Sequence, residues 1–178
     1  MILTGLEINK CQIDGSIIID PFDPEQVNPN SYDFRLGETL LRYTDDVVDP
    51  RQDNSCEVVA IPDTGLVIQR GAFFLGNTRE VMGSNHYAPI IRAKSSVARL
   101  GLFVHVTADL IDIGSVNQFT LQMYATHDVR IFAGMLVGQV TFWKPQGEIS
   151  LYDGKYQGSR GPVASRSHLD CSCAYSAE

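Results

Sequence analysis

Ala93-Lys94-Ser95-Ser96-Val97-Ala98-Arg99-Leu100-Gly101 leads without interruption into a strand-rich run from Leu102 to Gln122. The first part reads as a cradle for phosphate and the second as a floor for a base and a sugar. Ser95 is expected to cap a short helical turn whose free N–H groups and positive dipole end attract an anion. Lys94 and Arg99 flank that end with fixed charge, and Gly101 stops the turn. A short basic turn is by itself a common solvated surface feature, so its weight depends on what surrounds it.

Outward from this stretch the chain alternates short strands with turns. At the N-terminus Thr4-Gly5-Leu6-Glu7 has the form of a capping box, and Leu6, Ile8 and Cys11 supply an apolar face for one short helix that Gly15 ends. Ile17 to Ile19 is a brief strand stopped by Asp20-Pro21, and Pro21 to Asn30, with three prolines, is a loop. Tyr32, Phe34 and Leu36 alternate with polar residues, which predicts a half-buried strand turning at Gly37. Further strands are expected at Leu40–Tyr43, Cys56–Ile61, Leu66–Gln69, Ala72–Leu75, Ala88–Ile91, Leu102–Val106, Gln118–Tyr124, Val129–Phe132 and Val137–Trp143. Gly, Pro, Asn and Asp punctuate them at the spacing of sandwiches and barrels. Gly134 and Gly138, within the run from Ala133 to Gln139, predict a β-turn between two of these strands.

The whole chain of 178 residues fits one domain, with 44% hydrophobic and 20% charged residues. Its formal charge of −7 excludes broad binding to nucleic acid or to an anionic membrane, which needs clustered Lys and Arg. A small anion in a local basic pocket remains compatible with that balance. The sequence lacks an apolar run long enough to span a bilayer, and Met1 to Gly5 lacks the basic and apolar regions of a signal peptide, so a cytoplasmic protein is expected. Cys11, Cys56, Cys171 and Cys173 are expected to be free thiols in a reducing compartment, with a metal clip at Cys171-Ser172-Cys173 as the alternative. His86, His105, His127 and His168 have no ligand-like spacing, and His105, inside an apolar strand, reads as a core histidine. The His-x-Glu and Pro-Cys-x-x-Cys of zinc deaminases, the phosphate loop G-x-x-x-x-G-K-[ST] and the elbow G-x-S-x-G do not occur.

Beyond Trp143 strong periodicity is lost. Tyr152-Asp153-Gly154-Lys155-Tyr156-Gln157-Gly158-Ser159-Arg160-Gly161-Pro162 mixes phenol, ammonium and guanidinium groups with glycines. That composition suits an arm, residues 150–178, that closes over phosphates.

Several motifs in one order resemble those of the dCTP deaminases, a family of the trimeric dUTPase superfamily. They are Met1-Ile2-Leu3, Ser31-x-Asp33-x-Arg35-Leu36-Gly37, Lys94-Ser95-Ser96-x-x-Arg99-Leu100-Gly101, Thr107-Ala108, Ile111-Asp112-x-Gly114, the Gly134/Gln139 turn, Lys155-Tyr156-Gln157 and Ala164-Ser165-Arg166. The resemblance covers Met1 to about Asp170. It implies a mainly β, distorted β-barrel or jelly-roll-like dUTPase-type fold with one short N-terminal helix, a homotrimer, and active sites at subunit interfaces. It also implies conversion of dCTP to dUTP and ammonia with no catalytic metal, Mg2+ merely accompanying the triphosphate. Carried over by position, Lys94, Ser95, Ser96, Val97, Ala98 and Arg99 bind the phosphates and help position the water, with Ser95 and Arg99 nearest the chemistry. Thr107, Ala108 and the Thr120-Leu121 strand contact the pyrimidine and the water. Asp112 binds the 3′-hydroxyl, and Tyr152, Lys155, Tyr156 and Ser159 belong to the closing arm. Lys94 stands where an arginine is common, which keeps the charge and loses the bidentate fork.

Three positions depart from the family's pattern. An aromatic after Asp-x-Gly is replaced by Ser115, a glutamine of the arm by Ser159, and the catalytic general acid/base glutamate by Gln122. The last matters most, because an amide has no useful basicity at neutral pH. Three readings follow: a deaminase of reduced or lost activity, in which Asp109 could take over the proton work; a dUTPase-like dUTP diphosphatase, for which Asp112 is retained; and a nucleotide-binding regulatory protein without turnover.

Overall fold

The computed structural model describes residues 1–105 and 107–170, so Cys171 and Cys173 lie outside the described residues. A helix α1 (Gly5–Asp14) precedes strands β1 (Ile18–Asp20), β2 (Tyr32–Arg35), β3 (Thr39–Tyr43), β4 (Cys56–Ala60), β5 (Leu66–Ile68), β6 (Phe73–Asn77), β7 (Val81–Gly83) and β8 (Ala88–Ala93). A four-residue helix α2 (Ser95–Ala98) follows, then β9 (Leu102–Phe103), β10 (Val116–Asn117), β11 (Thr120–Ala125), β12 (Val129–Ile131) and β13 (Leu136–Trp143). The mainly β class expected from the sequence is therefore observed, with β7 and β10 as strands that periodicity did not mark.

Among the described residues all strand pairs are antiparallel, most of them between strands distant in the chain. The sheets have the orders β1-β7-β10, β4-β3-β6-β11-β9, β12-β5 and β2-β13-β8. Apolar residues of alternate parity from these sheets and from α1 form one core, in which Ile8, Tyr32, Phe34, Leu40, Leu121, Met123, Val140 and Phe142 are fully enclosed.

Three local expectations are corrected. The helix α1 forms without its capping box: the Thr4 side chain makes no cap bond, Glu7 pairs with Lys10 instead, and Gly15 ends the helix at φ 81°. Strand β2 is not half-buried. Tyr32 and Phe34 face the core as their period predicts, but Asp33 on the other face is also buried, because the Lys94 ammonium closes over its carboxylate. The glycine turn is narrower than the run that suggested it. Gly134 takes φ 73° and Met135 N donates to Phe132 O, whereas Gly138 lies within β13, beside a register shift and where a Cβ would strike the Phe34 ring.

Candidate active site

Strand β11 carries the floor of a cavity of about 880 Å³. Its side chains alternate: Thr120, Gln122 and Tyr124 line the cavity, while Leu121, Met123 and Ala125 point into the core with no exposed surface. The register is held from both edges, with Leu121 opposite Gly76 and Gln122 opposite Leu75 on β6, and Tyr124 opposite Phe103 on β9. Apolar walls come from Phe73, Leu75, Phe103 and Leu110.

The segment after β9 forms the side wall. Phe103, His105 and Thr107 share one parity and all line the cavity, followed by Ala108 and Asp112. The backbone bonds Ile91 N to Asp109 O and Ile111 N to Pro89 O, each 2.9 Å, fasten this wall to β8. Thr107 Oγ1 donates to Gln122 Oε1 at 3.1 Å, joining wall to floor. His105 bonds the Ala108 carbonyl through Nε2, and among the described residues its buried Nδ1 has no partner. Burial pushes the His105 pKa below the ordinary imidazole value, against the opposing pull of the Ala108 carbonyl and the Asp109 charge. His105 is thus a neutral wall residue rather than the core histidine expected, and the shared parity with Thr107 is the signal that could have found it.

The roof is the arm that leaves β13. At its root Tyr152 N donates to Ile113 O at 2.8 Å beside Gly114, whose φ of 94° and crowded position admit no Cβ. Gln157 Nε2 donates to Gly114 O at 2.7 Å while its Oε1 accepts from Val116 N. Further along, Ser159 N donates to Asn117 Oδ1, Gly161 N to Gln118 Oε1, Val163 N to Thr120 Oγ1 and Ser165 N to the Tyr43 hydroxyl, at 2.7 to 3.1 Å. Tyr152, Tyr156 and Ser159 thereby face the cavity.

Thr107, Ala108, Asp112, Thr120, Gln122, Tyr152, Tyr156 and Ser159 converge on this one space. Leu121 does not: it lies on the core side of its strand. Lys155 is turned outward to Asp170, whose hydrogen bond and charge raise its pKa, and its ammonium lies 5.7 Å from the Tyr156 ring centroid. The whole turn Lys94, Ser95, Ser96, Val97, Ala98 and Arg99 lies outside the cavity lining. Within it Ser95 is the first residue of α2 rather than its cap; the cap position belongs to Lys94, whose ammonium has no acceptor to offer the helix N–H groups and is held by Asp33. Val97 packs into the core. Asp109, offered as a substitute proton carrier, pairs with Arg92 at 3.3 Å and does not line the cavity. Sequence reasoning missed Tyr43, which reaches the roof from β3 through a contact with Ser165 that spans most of the chain.

Among the described residues, groups of three or more His, Cys, Asp or Glu able to hold a metal ion do not occur, Cys11 and Cys56 are free thiols, and no helix is long and apolar enough to cross a membrane.

A family model described as dCTP deaminase-like matches residues 2–145. The chain is 39% identical over 171 residues to the dUMP-forming dCTP deaminase of Clostridium beijerinckii, covering 96% of this chain and 98% of that one. It is 40% identical over 162 residues to the enzyme of the same description from Leptospira biflexa, covering 90% and 92%. Among solved structures, the 2′-deoxycytidine 5′-triphosphate deaminase of Agrobacterium tumefaciens aligns with a TM-score of 0.64 at 21% identity, over 79% of this chain and 47% of that chain, a likeness of fold.

Proposed function

Because the chain belongs to the dCTP deaminase-like family, we propose that its cavity binds a pyrimidine deoxynucleoside triphosphate and that its reaction is the hydrolytic deamination of dCTP, slowed or lost with an amide at position 122. The observation that carries this reading is the convergence of Thr107, Ala108, Asp112, Thr120 and Gln122 beneath the roof formed by Tyr152 and Tyr156. The base lies between the wall and the floor, the Asp112 carboxylate accepts a hydrogen bond from the 3′-hydroxyl, and the phosphates leave toward the solvent edge.

The turn from Lys94 to Arg99 is outside the lining of this chain's own cavity, which supports a homotrimer in which each copy offers that turn to a neighbour's triphosphate. Ser95 and Arg99 are then the groups nearest the reacting end, and Mg2+ enters with the substrate phosphates. A cytoplasmic location fits free thiols and a nucleotide substrate.

In the deamination, water adds to C4 of cytosine, a proton moves to N3, and the C4–N4 bond breaks as a second proton converts the amine into ammonia. A carboxylate at position 122 can take the first proton and return it; the glutamine amide cannot. The same glutamine supports a second reading, in which water attacks dUTP at the α–β phosphate bond, giving dUMP and releasing pyrophosphate. That chemistry does not route protons through C4, and the relatives described as dUMP-forming carry such a product in their description.

The test is to incubate the protein and Gln122→Glu with dCTP and with dUTP, measuring ammonia, pyrophosphate and binding separately. Gln122→Glu is expected to raise ammonia release about 10²–10⁴-fold. A variant that binds dCTP and shows no such gain removes the deaminase reading and leaves the diphosphatase, if pyrophosphate appears, or nucleotide binding without turnover.

A further inference from the structure

Resting on the reading that the cavity takes a pyrimidine nucleotide, we infer that Gln122 makes this site select a 4-oxo pyrimidine, uracil or thymine, over the 4-amino pyrimidine cytosine. A glutamine side chain offers one acceptor oxygen and an amide nitrogen with two donor hydrogens. The oxygen is already engaged, since Thr107 Oγ1 donates its proton to Gln122 Oε1 at 3.1 Å. Among the described residues the amide nitrogen has no protein partner, and its residue lines the cavity. The floor therefore presents a donor to whatever base edge arrives.

Several polar side chains of the lining already serve contacts within the protein. Thr120 Oγ1 accepts from Val163 N, Gln118 uses both ends on Gly161 N and Arg79 O, and Ser115 Oγ accepts from Asn117. On the floor the Gln122 amide nitrogen brings two unassigned donor hydrogens, against one hydroxyl proton each from Thr120 and Tyr124. Uracil and thymine offer O4, an acceptor, where cytosine offers an N4 amino donor. A donor facing a donor leaves both unsatisfied, and the apolar walls of Phe73, Leu75 and Phe103 make that mismatch costly. A carboxylate in the same place, still receiving the Thr107 proton, presents only acceptors and favours cytosine. One exchange of an oxygen for an NH2 thereby reverses the polarity of the group that reads position 4 of the base.

Calorimetric titration of the full chain with the α,β-imido forms of dUTP and dCTP, in Mg2+, measures the preference without phosphate cleavage. The uracil form is expected to bind at least about tenfold more tightly. In Gln122→Met, of similar length and without the donor, the preference should vanish. In Thr107→Val, which releases the amide to turn its oxygen toward the base, it should shrink; thermal melts check that both variants are folded. Tighter or equal binding of the cytosine form to the unaltered chain, or an unchanged ratio in folded Gln122→Met, overturns the inference while leaving the nucleotide site standing. Failure of both analogues to bind overturns the site and the inference together.

Discussion

Strand β11 and the arm from Tyr152 to Arg166 face each other across one cavity, yet they are secured by different means. The strand is locked into backbone ladders on both edges, and its alternate residues Leu121, Met123 and Ala125 are fully buried. The arm is not paired as a strand; it is fastened bond by bond, with the side chains of Asn117, Gln118, Thr120 and Tyr43 accepting from its backbone amides. Moving the strand by one residue would turn its whole core face outward, whereas each bond of the arm can be released singly. A floor of the first kind holds its side chains in a fixed position, and a roof of the second kind can lift to admit and discharge a ligand.

The contrast is broken most forcefully at Leu121. Leu121→Ala removes buried methyl groups from the underside of the floor and is expected to cost about 2–5 kcal/mol of global stability. Urea unfolding checks it; a loss under about 1 kcal/mol would mean that the floor is not secured through its core face.

Asn117→Ala acts on the roof. Asn117 is buried, donates to Ser115 Oγ at 2.6 Å and accepts from Ser159 N at 3.0 Å, so its removal takes the donor from the Ser115 hydroxyl and leaves Ser159 N only its 3.2 Å bond to Tyr156 O, at a cost of about 1–3 kcal/mol. The loss should appear chiefly as faster hydrogen exchange and proteolysis between residues 152 and 165, with β11 amides still protected. Equal loss of protection on β11 would show that roof and floor open as one unit.

These two variants also show why some of the molecule was legible in its sequence. The strand around Thr120, Leu121, Gln122 and Met123 is legible because period-two alternation is a local property, yet Leu121, expected at the pyrimidine, lies on the core side. The strands β7 and β10 escaped notice, since Val81-Met82-Gly83 and Val116-Asn117 are too short to show a period and form only because β1 and β7 offer them partners. The path of the arm was equally hidden. Its bonds join residues about 40 positions apart through side chains of ordinary polar type, and the capture of Lys94 by Asp33, 61 residues away, likewise has no local signature.

The side wall yields a pH test. Burial depresses the His105 pKa in the fold, so the unfolded chain takes up the proton first as pH falls. The stability that depends on neutral His105 is present above the unfolded value of about 6.5 and is lost as pH drops through the lower, folded value, by at most about 1.4 kcal/mol per pH unit. Comparing His105→Gln with the parent cancels the other titrating groups, and the variant should lose less stability between pH 7 and pH 5. Parallel stability curves would mean that His105 is equally solvated in both states.

The smallest expected effect is at Thr120, whose hydroxyl belongs to both regions: it stands on the floor and accepts from Val163 N of the roof at 3.1 Å. Thr120→Val keeps the shape and the strand propensity and removes one acceptor. A single neutral hydrogen bond contributes about 0.5–1.5 kcal/mol net, which corresponds to roughly a three- to tenfold rise in local opening. The change should appear at the Val163 amide by hydrogen exchange, and Thr120→Ser, which keeps the oxygen, should retain most of the protection. The global unfolding midpoint should hardly move, because the ladder with β6 is untouched. Unaltered exchange at Val163 in Thr120→Val would show that the arm is held by its other contacts, and that the Thr120 hydroxyl is free to serve whatever the cavity binds.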